Sequence, residues 1–361
     1  MVVAIVNLID TIEDFLINEI APQAQLIDRD PLALKKALQS MGERSLLSLR
    51  IPQQWGGGGI DQLTYRQFQV LIARYSGALA FLQTQHQSAA NQIFSGDNED
   101  MKTNYLPPMA RGETLIGIGV SHLRREGKPL VRAIPLENNQ YRLTGEVPWV
   151  TGLGFFESFI IGATLPDGRS LYSFIPFGES RQETGGKIII GEVMELAVMG
   201  VTRTVKVTLD KWIISEREVI KIKPVRSMGE NDRENVLFHG YNALGCARAG
   251  LDILGAAYDK TLLDSIQQAR KTLQARWDDC YQKMLSGEKS EFPYRLRLRA
   301  EAINLAFACS QAAVIVSGGG GNYLDHPAQR VYREALLYAV SGQTIDVMEA
   351  SLQGLVNQAR I

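Results

Sequence analysis

From about Val3 to Met109, apolar residues recur at helical spacing, as in Leu34, Leu38 and Met41 or Phe68, Leu71, Ile72 and Tyr75. Pro52 and the run Gly56 to Gly59 break this zone with a loop, and Asp61 or Thr64 is placed to start the next helix. Pro107-Pro108 closes the zone. From about Glu113 to Ile222 the period changes to two, with β-branched residues in runs such as Phe159-Ile160-Ile161, Lys187 to Ile190 and Val205 to Leu209. Turns fall at Glu137-Asn138-Asn139, Pro166-Asp167-Gly168 and Gly185-Gly186. From about Glu230 the helical period returns. Leu251, Leu254, Tyr258, Leu262, Ile266, Ala269, Leu273, Trp277 and Tyr281 step by three and four, with no Gly or Pro between Gly255 and Gly287. That stripe predicts one long helix, packed in a bundle or across a subunit interface. Ala302 to Val316 is apolar nearly all round and predicts a helix buried on several sides.

The pattern therefore predicts an α+β multidomain chain. Residues 1–112 form an all-α domain, 113–222 an antiparallel β-barrel or sandwich, and 223–361 a four-helix bundle. There is no internal repeat.

Composition narrows the function by exclusion. With 45% hydrophobic residues in 361, the chain has apolar surface for a real core and is not a disordered type. Its 38 basic and 39 acidic residues leave a net charge of −1, which gives no field for nucleic acid or anionic lipid. Cys246, Cys280 and Cys309 form no CxxC pair, and four scattered histidines predict no metal centre. The apolar start, Met1 to Val6, lacks a basic flank and soon meets Asp10 and Glu13, unlike a secretory signal. No uncharged apolar run reaches the roughly 18 residues a bilayer span needs. A soluble cytoplasmic protein with reduced thiols is expected.

Local motifs carry little chemistry by themselves. Gly152-Leu153-Gly154 lacks the third glycine of a dinucleotide fingerprint and leads into a strand. Gly318 to Gly321 has no following lysine, so it is no P-loop. It stands between two helices, where it is either a cap and turn or a cradle of N–H groups for a phosphate. His86 is either a core histidine or a ligand contact, and Trp149 on its own reads as an edge tryptophan. There is no GxSxG elbow and no HExxH pair.

Several segments together resemble the acyl-CoA dehydrogenase family, in order and over about 290 residues. Ile51-Pro52-Gln53-Gln54-Trp55-Gly56-Gly57 is similar to its Pro-Glu-Glu-Tyr-Gly-Gly loop. Tyr141 to Gly145 with Trp149-Val150-Thr151 resembles its Trp-Ile-Thr strand pair. Met199 to Thr204, Lys206 to Ile214 and Asn242 to Leu251 resemble its late β-domain and the opening of its bundle. Gly318 to Tyr323, followed by His326 to Ala335, is similar to its Gly-Gly-x-Gly-Tyr and Pro-x-x-Arg-x-Tyr-Arg-Asp-Ala segments.

The resemblance implies FAD held between the sheet and the C-terminal helices, an acyl-CoA or other small-molecule substrate, and a homodimer or homotetramer. It places Trp149 against the flavin ring, Thr151 and Ser121 at its polar edge, and Gly318, Gly319, Gly320 and Gly321 near the diphosphate of a partner subunit's FAD. The departures matter too. The family's Glu-Gly-Thr is here Ser341-Gly342-Gln343, and a lone serine hydroxyl cannot take an α-proton at neutral pH. Glu234, near the opening of the bundle, is the alternative base. The Arg-x-x-Phe-Gly turn is missing between Tyr258 and Trp277, which brings FMN into consideration beside FAD. His122 to Gly127 replaces the loop after Ser121, and Arg124 and Arg125 there are candidates for a CoA or flavin phosphate. The expected function is an acyl-CoA dehydrogenase-like flavin-dependent oxidoreductase. The alternatives are a flavin monooxygenase, with His86, His122 and Ser341 near the flavin, and a non-redox acyl-thioester or small-ligand binder.

Overall fold

A computed structural model describes residues 2–358, with side chains from 8 to 356. Met1, at the head of the N-terminal apolar run, and residues 359–361 lie outside them. Helices α1 (Val2–Phe15), α2 (Ala24–Ile27), α3 (Pro31–Glu43), α4 (Gln62–Tyr75), α5 (Gly77–Phe94) and α6 (Glu99–Ala110) come first. Their starts are local chemistry. Asp30, Asp61, Ser76 and Asn98 cap α3 to α6 by accepting backbone N–H bonds from the first turns. Pro107 and Pro108 fall inside α6 and not after it, because Met109 and Ala110 are buried and hold one more turn.

The strands are β1 (Ile116–Gly119), β2 (Val131–Leu136), β3 (Gln140–Val150), β4 (Ser158–Thr164), β5 (Ser170–Pro176), β6 (Ser180–Arg181), β7 (Lys187–Ile190), β8 (Val205–Ser215) and β9 (Val219–Lys223). They form one sheet in the order β6-β7-β8-β3-β2-β4-β5-β9, with β1 beside β4. Pairing is antiparallel except where β1 and β2 meet β4. Along β8 the buried positions Val205, Val207 and Leu209 alternate with more open ones, as period two demands. The β3–β8 register slips between Val147 and Val150. Pro148 in that gap has no N–H for the ladder, and the bulge turns Trp149 outward, 46% exposed.

The C-terminal helices are α7 (Ser227–Glu234), α8 (Phe238–Thr261), α9 (Asp264–Ser286), α10 (Phe292–Ser317), α11 (Pro327–Val340) and α12 (Ile345–Gln358). The long stripe predicted as one helix is two. Leu262 adopts a left-handed conformation (φ 55°), its N–H bonds to Tyr258 O, and α9 folds back along α8. Trp277 Nε1 then donates to Leu244 O at 2.8 Å, and Gln267 reaches Tyr258. The stripe is genuine, but each half faces the other. Burial of Trp277, Cys280 and Met284 offsets a left-handed leucine that costs about 1–2 kcal/mol. The absence of a membrane-length apolar stretch also needs correction. Residues 292–322 hold a window apolar enough to cross a bilayer, 44% of it buried inside the protein, where α10 packs against α8.

Candidate active site

A cavity of about 610 Å³ opens where the sheet meets the helices on both sides of it. The sheet wall carries Trp149 and Thr151 from the end of β3, Ser121 from the turn after β1, and Val198, Met199 and Thr204 from the segment before β8. Thr151 is buried, and its Oγ1 lies 3.0 Å from Thr204 Oγ1. Further lining comes from α5, from α7 and the start of α8, and from the Ser341-Gly342 turn between α11 and α12.

In this lining Ser341 is not alone. Its Oγ lies 2.9 Å from Nδ1 of His239, which no motif in the sequence singled out. His239 is the second residue of α8, and Phe238 packs edge-on against its ring. Burial, reinforced by Arg299, Arg124 and Arg66, holds the imidazole well below its ordinary value of 6.5, so it is neutral at pH 7. Gly342 makes the pair possible. It has φ 60°, and a Cβ there would stand 2.2 Å from His239 Cδ2. Arg299 Nη2 donates to Ser341 O at 2.7 Å and fixes the turn from below.

The other predicted residues divide sharply. Arg124 reaches the cavity but is engaged, its Nε and Nη2 on Asp232 at 2.6 and 2.8 Å. Arg125 is exposed and does not line the cavity. Glu234 is exposed at the end of α7, and its own turn presents Asn231, Asp232 and Asn235 to the cavity instead. The helical repeat explains this, since 231, 232 and 235 share a face and 234 does not. His86 is fully buried. Its Nδ1 accepts from Ile116 N–H and its Nε2 lies on Met109 O, both at 3.1 Å, so it ties α5 to β1. His122 turns its Nε2 to Gly162 O at 2.9 Å, also off the cavity lining. Gly318 to Gly321 forms a 3₁₀ turn after α10 and contributes nothing to this cavity within one chain.

The sheet wall suits a flavin. An exposed indole beside Val198 and Met199 offers a flat apolar shelf, and the hydroxyls of Ser121, Thr151 and Thr204 supply a polar edge. The volume falls in the range of cofactor and substrate pockets.

The helical, sheet and helical fold is shared with solved dehydrogenases. The fold superposes with a TM-score of 0.83 on a glutaryl-coenzyme A dehydrogenase in complex with glutaryl-CoA, at 18% identity, covering 98% of this chain and 95% of that one. It superposes at 0.81 on an acyl-CoA dehydrogenase complexed with FAD from Bacillus anthracis, at 17% identity, covering 99% of this chain and 69% of that one. Residues 6–113 match the acyl-CoA dehydrogenase N-terminal domain. Over 353 residues the sequence is 24% identical to an acyl-CoA dehydrogenase of Bacillus subtilis (strain 168), covering 90% of each. Together these likenesses support an acyl-CoA dehydrogenase family member.

Proposed function

We propose that this chain is an acyl-CoA dehydrogenase-like oxidoreductase that binds a flavin against Trp149 and Thr151 and an acyl substrate between that flavin and the Ser341–His239 pair. The observation that carries the reading is the arrangement of the cavity. Trp149 and the hydroxyl-bearing residues line it from the sheet, and the only imidazole lining the cavity among the described residues, His239, comes from the C-terminal helices. FAD is the first candidate, because a solved neighbour of this fold carries it. A bound flavin supplies hydride acceptance at its ring, and the rest falls to this chain.

Trp149, Thr151 and Ser121 would hold the flavin, the indole by stacking and the two hydroxyls by hydrogen bonding. The substrate's proton is the task of the Ser341–His239 pair. In the tautomer of neutral His239 that leaves Nδ1 unprotonated, Nδ1 accepts from Ser341 Oγ–H, the serine oxygen keeps lone pairs free, and a proton arriving at Ser341 would pass to the imidazole. Asp232 cannot take that role while both its oxygens hold Arg124. The monooxygenase alternative drew on His86 and His122, and both are turned to backbone carbonyls away from the cavity.

Visible absorption of the purified protein, before and after adding FAD or FMN, tests the reading. A flavin spectrum with FAD, lost in Trp149→Ala, supports it. Absence of binding to either flavin sinks it and leaves a ligand-binding protein of the same fold.

A further inference from the structure

Arg50 lines the same cavity and is a cation there that the redox reading leaves without work. Its guanidinium makes no hydrogen bond or ion pair among the described residues; its neighbour is the ring of Tyr65, 5.6 Å away. Glu288, the carboxylate whose field reaches it, is already engaged by Arg66 Nε at 2.7 Å and Gln62 Nε2 at 3.2 Å. Arg124, the other cavity arginine, has its own carboxylate. Arg50 is therefore an exposed guanidinium on the cavity lining with no carboxylate of its own, only the field of Glu288.

The backbone that carries it is built, not loose. Gly58 N–H donates to Ser48 O at 3.1 Å, Gly59 N–H to Ile51 O at 2.8 Å and Ile60 N–H to Leu49 O at 3.0 Å. The glycine-rich loop thus folds back on the segment around Arg50. A Cβ on Gly57 would lie 2.2 Å from Ile51 O, so the loop's glycines serve this close approach. From the other side, buried Gln87 of α5 accepts from Leu49 N–H at 3.1 Å and donates to Leu46 O at 3.2 Å. Both anchors flank residue 50 within one turn.

The same lining also carries Gln85 and Ser88 of α5. A hydrocarbon tail reaching this end would strip water from a guanidinium, an amide and a hydroxyl and return nothing. A carboxylate returns two acceptor oxygens in the geometry of the guanidinium fork. A continuous wall joins the two ends of the cavity. Tyr65 packs on Phe238 at 6.3 Å, and Phe238 precedes His239.

We propose that Arg50 is a specificity determinant that binds a carboxylate of the substrate, so that the cavity takes an anionic acyl compound and not a plain fatty acyl chain. The inference rests on the flavin-oxidoreductase reading only in calling the ligand a substrate. The carboxylate can be the far end of an acyl thioester or the acid group of a free carboxylic acid, and calorimetry on the purified, FAD-supplemented protein separates these. One arm compares adipoyl-CoA with hexanoyl-CoA; the other compares 3-phenylpropanoate with its amide. In at least one arm the anion binds about tenfold more tightly, as one charge-assisted contact allows. In Arg50→Met the two members of that arm converge, and Arg50→Lys keeps part of the preference. No preference in either arm, or a preference that survives Arg50→Met, overturns the proposal. Flavin uptake is read separately by absorption. A chain that binds flavin without preferring the anion refutes Arg50's role alone, and one that takes up no flavin refutes the redox reading.

Discussion

Ser341 Oγ lies 2.9 Å from Nδ1 of His239, 102 residues away in the chain, so that the end of α11 meets the start of α8 at the cavity. The neutral imidazole of His239, kept below its ordinary proton affinity by burial and by arginines, is the group the proposed reaction would use to take the substrate's proton. His239→Gln should slow substrate-dependent loss of the flavin's visible absorbance by about a hundredfold or more, and Ser341→Ala by less. Both variants should keep the unreacted flavin spectrum. Because folded His239 titrates well below 6.5, the wild-type rate should stay level from about pH 8 to pH 6 where this group controls it. A rate that drops with an apparent pKa near 6.5 would remove His239 from the reaction.

Gly342→Ala tests the same pair through packing. The added methyl would sit 2.2 Å from His239 Cδ2 on a residue at φ 60°, so the turn or the ring has to move. A loss of about 2 kcal/mol in urea unfolding is expected, with weaker ligand binding in calorimetry. Unchanged stability with unchanged binding would mean that the turn is more yielding than its geometry indicates.

The order of helices, sheet and helices is legible in the sequence because each unit keeps one hydrophobic period along its length. Trp149 is legible as well, since Pro148 and the strand end mark where the β3–β8 ladder slips. His239 is not. Its meaning comes from Ser341, 102 residues on, and from a glycine that only a close approach explains. The same holds for Arg124. The loop can be read as basic, but its partner Asp232, 108 residues away, turns a candidate phosphate ligand into an ion pair. The break at Leu262 leaves no signal, because leucine marks no turn and the apolar stripe runs across it unaltered.

His86 makes a pH prediction for the fold and not for the reaction. Burial lowers it from 6.5 to about 4, while its two backbone partners only partly oppose this. As pH falls through about 6.5 the unfolded chain takes up a proton that folded His86 refuses until about 4. The unfolded state therefore binds more protons in that window, and stability falls with pH. The contribution is fully present above about pH 6.5, and about 3 kcal/mol is lost by pH 4. Urea unfolding at both ends measures it, and His86→Gln should flatten the slope while lowering stability at pH 7.

An exposed apolar stripe predicts self-association. On α11, Tyr332, Leu336 and Val340 recur every four residues, and on α12 Ile345, Met348, Leu352 and Leu355 recur by three and four. All are at least 36% exposed in the single chain, and together they make a surface that soluble monomers seldom leave open. A second copy of this chain is the expected cover, and light scattering should give a mass at least twice 40.0 kDa. Leu352→Lys together with Leu336→Lys should lower that mass toward one chain. A wild-type mass of one chain would leave the stripe to another partner.

Asp232 and Glu234 give the sharpest contrast between neighbours. Asp232 is 11% exposed in its side chain and carries both Arg124 contacts at the cavity, whereas Glu234 lies exposed on the other side of α7. Glu234→Gln should leave turnover and stability within about twofold of wild type, as surface changes generally do. Asp232→Asn removes the countercharge from Arg124 while the guanidinium remains, and should cost about 1–3 kcal/mol of stability in urea unfolding. It also leaves a second cavity cation unneutralised. Affinity for anionic ligands should therefore rise in Asp232→Asn even as the fold weakens, and calorimetry reads the two effects apart. If Glu234→Gln stops turnover while Asp232→Asn changes little, α7 is rotated in the working enzyme and the Ser341–His239 assignment falls with it.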